Sequence, residues 1–485
     1  MLTRRDFAIG SAAIAAGGLV GAGLARSASL RFDRPLPIPQ LIDAAKQGNA
    51  VKLKAASGRH AFVKGKPART YGYSAPVLGP AVRLRRGEEV EMTVENALDV
   101  DTTVHWHGLL VPGDVDGGPH QVIKSSSTWR PRLKVDQPAS TLWFHPHLHH
   151  DTARQIYMGL GGLILIDDGS DAELGLPRTY GFDDLPIILQ DRSFETDGSL
   201  VYDLDPMTVQ YGLRGYSVIA NGIVAPFANV PRGMVRLRLL NATNAQNFEL
   251  RFRDKREFHV IASDAGFVAA PVAVTQLRIS PAERFEVLVD FANGTPAILE
   301  TGPDTAMGLF GKMSLDDTSE FVPIMRFEPI AAYAPVKTLP ARLVEPAVTD
   351  PQTSVRRRQL RLAIGLCGPV AGEMSVMSGS INGQPHDLNR IDIETELGTQ
   401  EVWEITSIGM AHSFHVHGAS FRILSLSGKS PPAHLVGWKD VALVEDSAEL
   451  LVAFNKPATR EHPFMYHCHI LEHEDAGMMG QYTCA

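Results

Sequence analysis

The chain has 485 residues, 44% of them hydrophobic and 21% charged, and a formal net charge of -8. This composition excludes a disordered chain and an integral membrane protein, and the acidic balance argues against a nucleic-acid binder. The length exceeds one ordinary hydrophobic core, so roughly two to four domains are expected.

Residues 1–29, MLTRRDFAIGSAAIAAGGLVGAGLARSAS, place Arg4-Arg5 ahead of a weakly apolar Ala/Gly-rich run and small residues suited to cleavage. The pattern is that of a twin-arginine export signal. A membrane anchor fits less well, because glycines interrupt a run already at the short end of spanning length. A periplasmic protein with no stable membrane insertion after export is therefore expected. Residues 30–75 read as a Pro-containing lead-in followed by short strand-like pieces.

From Ala81, AVRLRRGEEVEMTVENAL alternates β-branched and polar residues, as half-buried antiparallel strands do. A related phrase returns as FANVPRGMVRLRLLNATN around Gly233 and as IETELGTQEVWEITSIG around Gly398, each with a Gly turn feeding a strand. The recurrence predicts three copies of one β-sandwich domain, placed at 45–172, 180–332 and 352–485. In the first copy the next strand runs into HWHG (His105 to Gly108), and in the third into HVHG (His415 to Gly418). The second copy has NFELRF at that place, so metal chemistry is assigned to the outer two domains and the middle one is read as a spacer. Within that spacer, Asn221-Gly222 reads as a hairpin turn and SPAERFEVLVDF (Ser280 to Phe291) as a strand.

Four His-x-His pairs stand out: His105/His107, His145/His147, His415/His417 and His467/His469. In a strand, residues two apart project from one face roughly 6.5 Å apart, so each pair can reach two neighbouring metal ions. A lone pair at this spacing arises by chance; four such pairs gathered at the two ends of one chain do not fit that reading. The fourth pair brackets Cys468 within HPFMYHCHILEHEDAGMM, where His473 and Met478 follow. If HCH is extended, its two imidazoles point one way and the thiolate the other, which couples two metal sites through one short covalent path. A thiolate with two imidazoles and a weak thioether suits a blue-copper site, whereas zinc is normally closed by four strong ligands. One imidazole of that set is missing from the segment and must come from elsewhere. The remaining cysteines, Cys367 and Cys484, exclude a disulfide scaffold by their number; pairing and free thiols both stay open.

HWHG, WFHPHLH, HSFHVHG and HCHILEHEDAGMM together resemble the copper signatures of multicopper oxidases, the family of laccases, bilirubin oxidases and bacterial cuprous oxidases. The likeness covers essentially the whole chain after its leader. It implies an all-β protein of three consecutive cupredoxin-like Greek-key β-sandwiches holding four copper ions. By that resemblance His412, Cys468 and His473 are the equatorial ligands of a type 1 copper, with Met478 axial and Met479 a packing residue. His105 and His415 would hold the type 2 copper, and His107, His145, His147, His417, His467 and His469 the type 3 pair. Asp116, in GDVDGGP, and Glu474, beside His473, match acidic positions that serve proton delivery, against a turn role for the first and a solvated one for the second. His120, His149 and His150 receive no role beyond surface or supporting positions.

The implied reaction takes single electrons from a small reducing substrate and, after four, converts O2 to two waters. HEDAGMM, GWKDV and INGQPHDLN point toward the periplasmic cuprous oxidase of copper tolerance. That enzyme, however, carries a long methionine-rich insertion ahead of the INGQ-like segment, where this chain has LAIGLCGPVAGEMSVMSGS with only Met374 and Met377. Met410 sits where the cuprous oxidase has a methionine beside its substrate copper, but the acidic partner expected upstream is absent from TSIG. The expectation is thus a monomeric laccase-like oxidase of phenols, with Cu(I) as the alternative substrate. Exported cell-division proteins of the same fold that lost copper form a third reading, which all twelve filled ligand positions oppose.

Overall fold

The computed structural model describes residues 31–304, 306, 321–345, 355–366 and 377–485. The expected leader, Cys367 and Met374 lie outside these residues. Strands dominate, and the longest of the described helices, Thr152–Met158, is seven residues long.

Three consecutive two-sheet units follow one another along the chain. In the first, one sheet joins Leu41–Asp43, Ala81–Arg85, Gly162–Asp167 and Ser140–Phe144. The other joins Lys66–Tyr73, Ala50–Val63, Glu89–Asn96 and Thr128–Trp129, with Arg132–Lys134 beside Glu89–Asn96. The alternation read in the sequence is realised as burial: Val51, Leu53 and Ala55 turn inward between more exposed residues, as do Val90, Met92 and Val94 on the neighbouring strand. These side chains meet Val82, Leu84, Trp106 and Phe144 from across the sandwich.

Two sequence expectations change in detail. The residues before 75 form a long strand, Ala50–Val63, in a hairpin with Lys66–Tyr73 rather than short pieces. The strands either side of Gly87 are not antiparallel partners. Ala81–Arg85 runs parallel to Gly162–Asp167, and Glu89–Asn96 parallel to Ala50–Val63, each in a different sheet. The same step recurs at the other two copies. Pro226–Arg232 and Met234–Asn241 flank Gly233 in different sheets, and so do Ile393–Thr395 and Gln400–Ile408 around Gly398. The repeated phrase is thus the corner where the chain crosses from one sheet to the other, and all three glycines take positive φ there.

The second unit centres on Leu237, Leu239, Phe248, Phe285 and Phe327. Its Asn221-Gly222 turn joins Ser217–Ala220 to Ile223–Val224 with both residues at positive φ, the geometry of a type I′ hairpin. Arg34–Pro35 from the lead-in pairs with Pro226–Phe227, tying the start of the described chain to this unit. In the third unit Trp403, Phe414, Phe421 and Tyr482 form a core that also encloses Cys468 and Met478.

A buried histidine cluster between the first and third units

His412–Val416 lies between Val441–Val444 and Phe464–Cys468 in the third unit's second sheet. Phe414 faces Cys468 across the ladder and His415 faces His467. Because side chains alternate, His412 shares the face of Phe414 and Cys468, while His415 and His467 share the opposite face. The odd spacing of His412 and His415 therefore lets one strand serve two sites, as HCH does on its neighbour.

On the first face, His473 Nε2–H donates to the carbonyl of Gln210 at 2.9 Å, which leaves Nδ1 directed at Cys468 Sγ, 3.6 Å away. The ring of His412 lies 5.2 Å from that of His473, and both its nitrogens are buried without a hydrogen-bond partner. Met478 is fully buried in the same core. Burial pushes the Cys468 thiol well above its ordinary range, so a thiolate here requires a cation beside it. Burial, opposed by the Gln210 carbonyl, holds His473 down to about 4, so its Nδ1 carries a lone pair at neutral pH.

On the second face, four histidines of the first unit meet four of the third. His105 pairs with His145 in an isolated bridge, and the HWHG and HPH segments bring the rings of both pairs inward. The outward nitrogens mostly donate. His105 Nδ1 bonds the Asp116 carbonyl at 3.1 Å, His415 Nδ1 the Asp440 carbonyl at 2.7 Å, His145 Nδ1 the Pro146 carbonyl at 2.7 Å, and His417 Nδ1 the Asp116 carboxylate at 2.8 Å. The inward nitrogens then carry lone pairs and converge. His147 Nε2 and His417 Nε2 lie 3.3 and 3.2 Å from His467 Nε2, and His107 Nδ1 lies 3.2 Å from His145 Nε2. Two nitrogens each about 2.0 Å from a common ion at a tetrahedral angle sit about 3.3 Å apart. His105 Nε2, His415 Nε2 and both nitrogens of His469 are buried with no partner. Burial first, and then neighbouring cationic groups, mainly the other imidazoles, hold His107, His145, His147, His415, His417 and His469 well below the ordinary histidine value. A cluster of neutral imidazoles with unsatisfied inward lone pairs, next to a buried thiol and thioether, has the donor chemistry of copper sites.

The two acids singled out in the sequence both border this cluster. Asp116 is 2% exposed and lies 3.3 Å from His105 Nδ1 as well as against His417. Glu474, in the short helix Leu471–Asp475, is fully buried with Oε2 3.2 Å from His467 Nδ1 and Oε1 3.5 Å from His147 Nδ1. Sequence reasoning missed Asp440, whose Oδ1 lies 3.2 Å from His107 Nε2. It is held by two 2.6 Å bonds from Arg284 of the middle unit, within a buried network that includes Asp264, Lys439 and Glu283. The middle unit is thus more than a spacer. A Lys-Asp dipeptide just ahead of the strand Val441–Val444 carries no signal of such a role without its distant arginine.

Three family models, each described as multicopper oxidase, match residues 54–171, 209–298 and 364–485 respectively. The solved structure of a bacterial laccase-like multicopper oxidase, CueO from the lignin-degrading Ochrobactrum sp., shares 46% identity at a TM-score of 0.86, covering 93% of this chain and 100% of that one. That protein has oxidase activity towards lignin model compounds and lignosulfonate. The multicopper oxidase mco of Staphylococcus aureus is 35% identical over 92% of this chain and 91% of its own length. The cell division protein FtsP of Dickeya dadantii is also 35% identical, over 99% of this chain and 98% of its own.

Proposed function

The chain belongs to the multicopper oxidase family and is an oxidoreductase, and from that premise we propose that it is a laccase-like enzyme oxidising phenols at the expense of O2. Bound copper supplies the one-electron chemistry and the four-electron reduction of O2 to two waters. In this reading four coppers are held as follows: His412, Cys468, His473 and Met478 for a type 1 ion, His105 and His415 for type 2, and His107, His145, His147, His417, His467 and His469 for the type 3 pair. The observation that carries it is the convergence of inward nitrogens beside a buried Cys468.

The Cys468 side chain is on the first face and its neighbours His467 and His469 reach the second, so the backbone joining them forms the covalent connection between the two. The roles proposed for Asp116 and Glu474, holding protons for the water that forms, are supported by their burial against His417 and His467. The phenol assignment is supported by the short interval between Leu366 and Met377, which holds only Met374 before Met377, and by the 46% identical relative that oxidises lignin model compounds. The twin-arginine pattern of residues 1–29 supports export to the periplasm, and no helix among the described residues is long and apolar enough to cross a membrane.

Two other readings have particular support. Met410, two residues before His412, favours Cu(I) as donor; the FtsP relatives favour a copper-free structural role. One experiment separates all three. The purified protein, supplied with copper, is expected to show the Cu–thiolate band near about 600 nm and a higher kcat/KM for a dimethoxyphenol than for Cu(I). A ratio strongly favouring Cu(I) turns the assignment to cuprous oxidase. Absence of the band, with no turnover of either donor, turns it to the structural role.

A further inference from the structure

The orientation of His473 is set from the middle unit, and the residue that arranges this is its own neighbour in the chain. The helix Pro206–Tyr211 of the middle unit ends against His473. The Gln210 carbonyl, among the last four of that helix and so without a helical partner, accepts from His473 Nε2–H at 2.9 Å. Glu472 pins the turn that follows. Leu213 N–H donates to Glu472 Oε2 at 3.0 Å, and a Cβ built at Gly212 would collide with Ala245 and Ile470, so the turn lies hard against the segment joining Cys468 to Glu472.

The other carboxylate oxygen takes a 2.7 Å bond from Asn244 Nδ2, which also donates to the Ala153 carbonyl of the first unit at 3.2 Å. The Asn244 carbonyl in turn accepts from Leu471 N–H at 3.0 Å. Both residues are buried, so losing either bond would leave a desolvated polar group unpaired. Glu474, on the same short helix, faces His467 and His147, whereas the partners of Glu472 lie on the side of Gln210. An imidazole whose Nε2–H is held by an acceptor keeps its lone pair on Nδ1, and the same hydrogen bond makes Nδ1 the stronger base. A stronger nitrogen donor favours Cu(II) over the softer Cu(I), which lowers the potential of the ion.

We propose that Glu472 is a positioning residue for the type 1 copper. By holding Leu213, with Asn244 as its brace, it keeps the Gln210 carbonyl on His473 Nε2–H. It thereby fixes the nitrogen that His473 presents beside Cys468 and the potential of the ion bound there. This rests on the reading that assigns His412, Cys468, His473 and Met478 to that ion. The middle unit, which supplies no ligand in that reading, then acts on both copper centres, through Arg284 at the histidine cluster and through Gln210 here.

The test compares wild type with Glu472→Ala, Asn244→Ala, Glu472→Gln and Leu250→Ala, the last a core variant of the middle unit that touches none of these groups. In the copper-loaded proteins the type 1 potential is read by redox titration of the Cu–thiolate band near about 600 nm. Glu472→Ala and Asn244→Ala should each lose about tenfold in preference for Cu(II) over Cu(I), an upward shift of about 59 mV for one electron. Glu472→Gln keeps an amide oxygen for Leu213 N–H and should restore most of the wild-type value, while Leu250→Ala leaves it unchanged. In the copper-free proteins, nitrogen-15 NMR of ring-labelled histidine should show His473, identified by the signals lost in His473→Asn, as the Nε2–H tautomer in wild type and as a mixture in Glu472→Ala. Should Glu472→Ala not fold, Asn244→Ala carries both measurements. A wild-type potential in both alanine variants, or an equal rise in Leu250→Ala, overturns the proposal. If wild type binds copper without the band, the copper reading fails instead, and Glu472 is judged on the tautomer: one that stays Nε2–H in the alanine variants overturns its role.

Discussion

At the residue scale, Gly117 shows how closely the site is packed around Asp116. Its φ is +83°, and a Cβ built there would lie 1.7 Å from the Val104 carbonyl oxygen, next to His105. No side-chain rotation relieves a clash with backbone. Gly117→Ala combines left-handed strain with overpacking and should cost on the order of 3 kcal/mol, read as a lower urea midpoint. Because His105 Nδ1 bonds the Asp116 carbonyl, the variant should also take up less than the full complement of copper. Unchanged stability would show that the backbone gives way easily there. The four His-x-His pairs and the cysteine inside the last of them were legible because spacing by two is itself a structural statement, whereas His412 was placed only by the family resemblance. Asp440 was not legible, since its meaning comes from Arg284, 156 residues away.

The strand Arg284–Asp290 makes the corresponding point for elements. It packs within the middle unit through Phe285, Val287 and Val289, and at its first residue sends a fully buried arginine toward the histidines. Arg284→Met would leave Asp440 and Asp264 with Lys439 as their remaining buried cation. Breaking such a network should destabilise by about 3–5 kcal/mol, whereas Lys124→Met, which removes the exposed pair with Asp101, should cost no more than about 1 kcal/mol. Similar unfolding midpoints for the two variants would sink this account. Alternation along Glu89–Asn96 and the turn at Asn221-Gly222 were readable locally. The parallel partners of Ala81–Arg85 and Glu89–Asn96 were not, because the same alternation serves parallel and antiparallel neighbours alike.

For the molecule as a whole, the buried imidazoles set the acid limit of the metal-free protein. His107, His145, His147, His412, His415, His417 and His469 are all held well below 6.5, by burial first and by neighbouring cationic groups second. Below that value the unfolded chain binds protons that the native chain refuses, so native stability falls as pH drops, by up to about 1.4 kcal/mol per pH unit for each site. Urea midpoints of the copper-free protein should hold between about pH 7 and 8 and fall steeply below about 6.5; a midpoint flat down to pH 5 would contradict the burial of neutral rings.

His147 and His467 bring their Nε2 atoms within 3.3 Å across 320 residues of chain. On the ribosome the four histidines of the first unit emerge well before the strand Phe464–Cys468 that completes the cluster. A nascent chain that still lacks its third unit is therefore redox-silent: copper can enter the finished arrangement only once both halves of the cluster have been made.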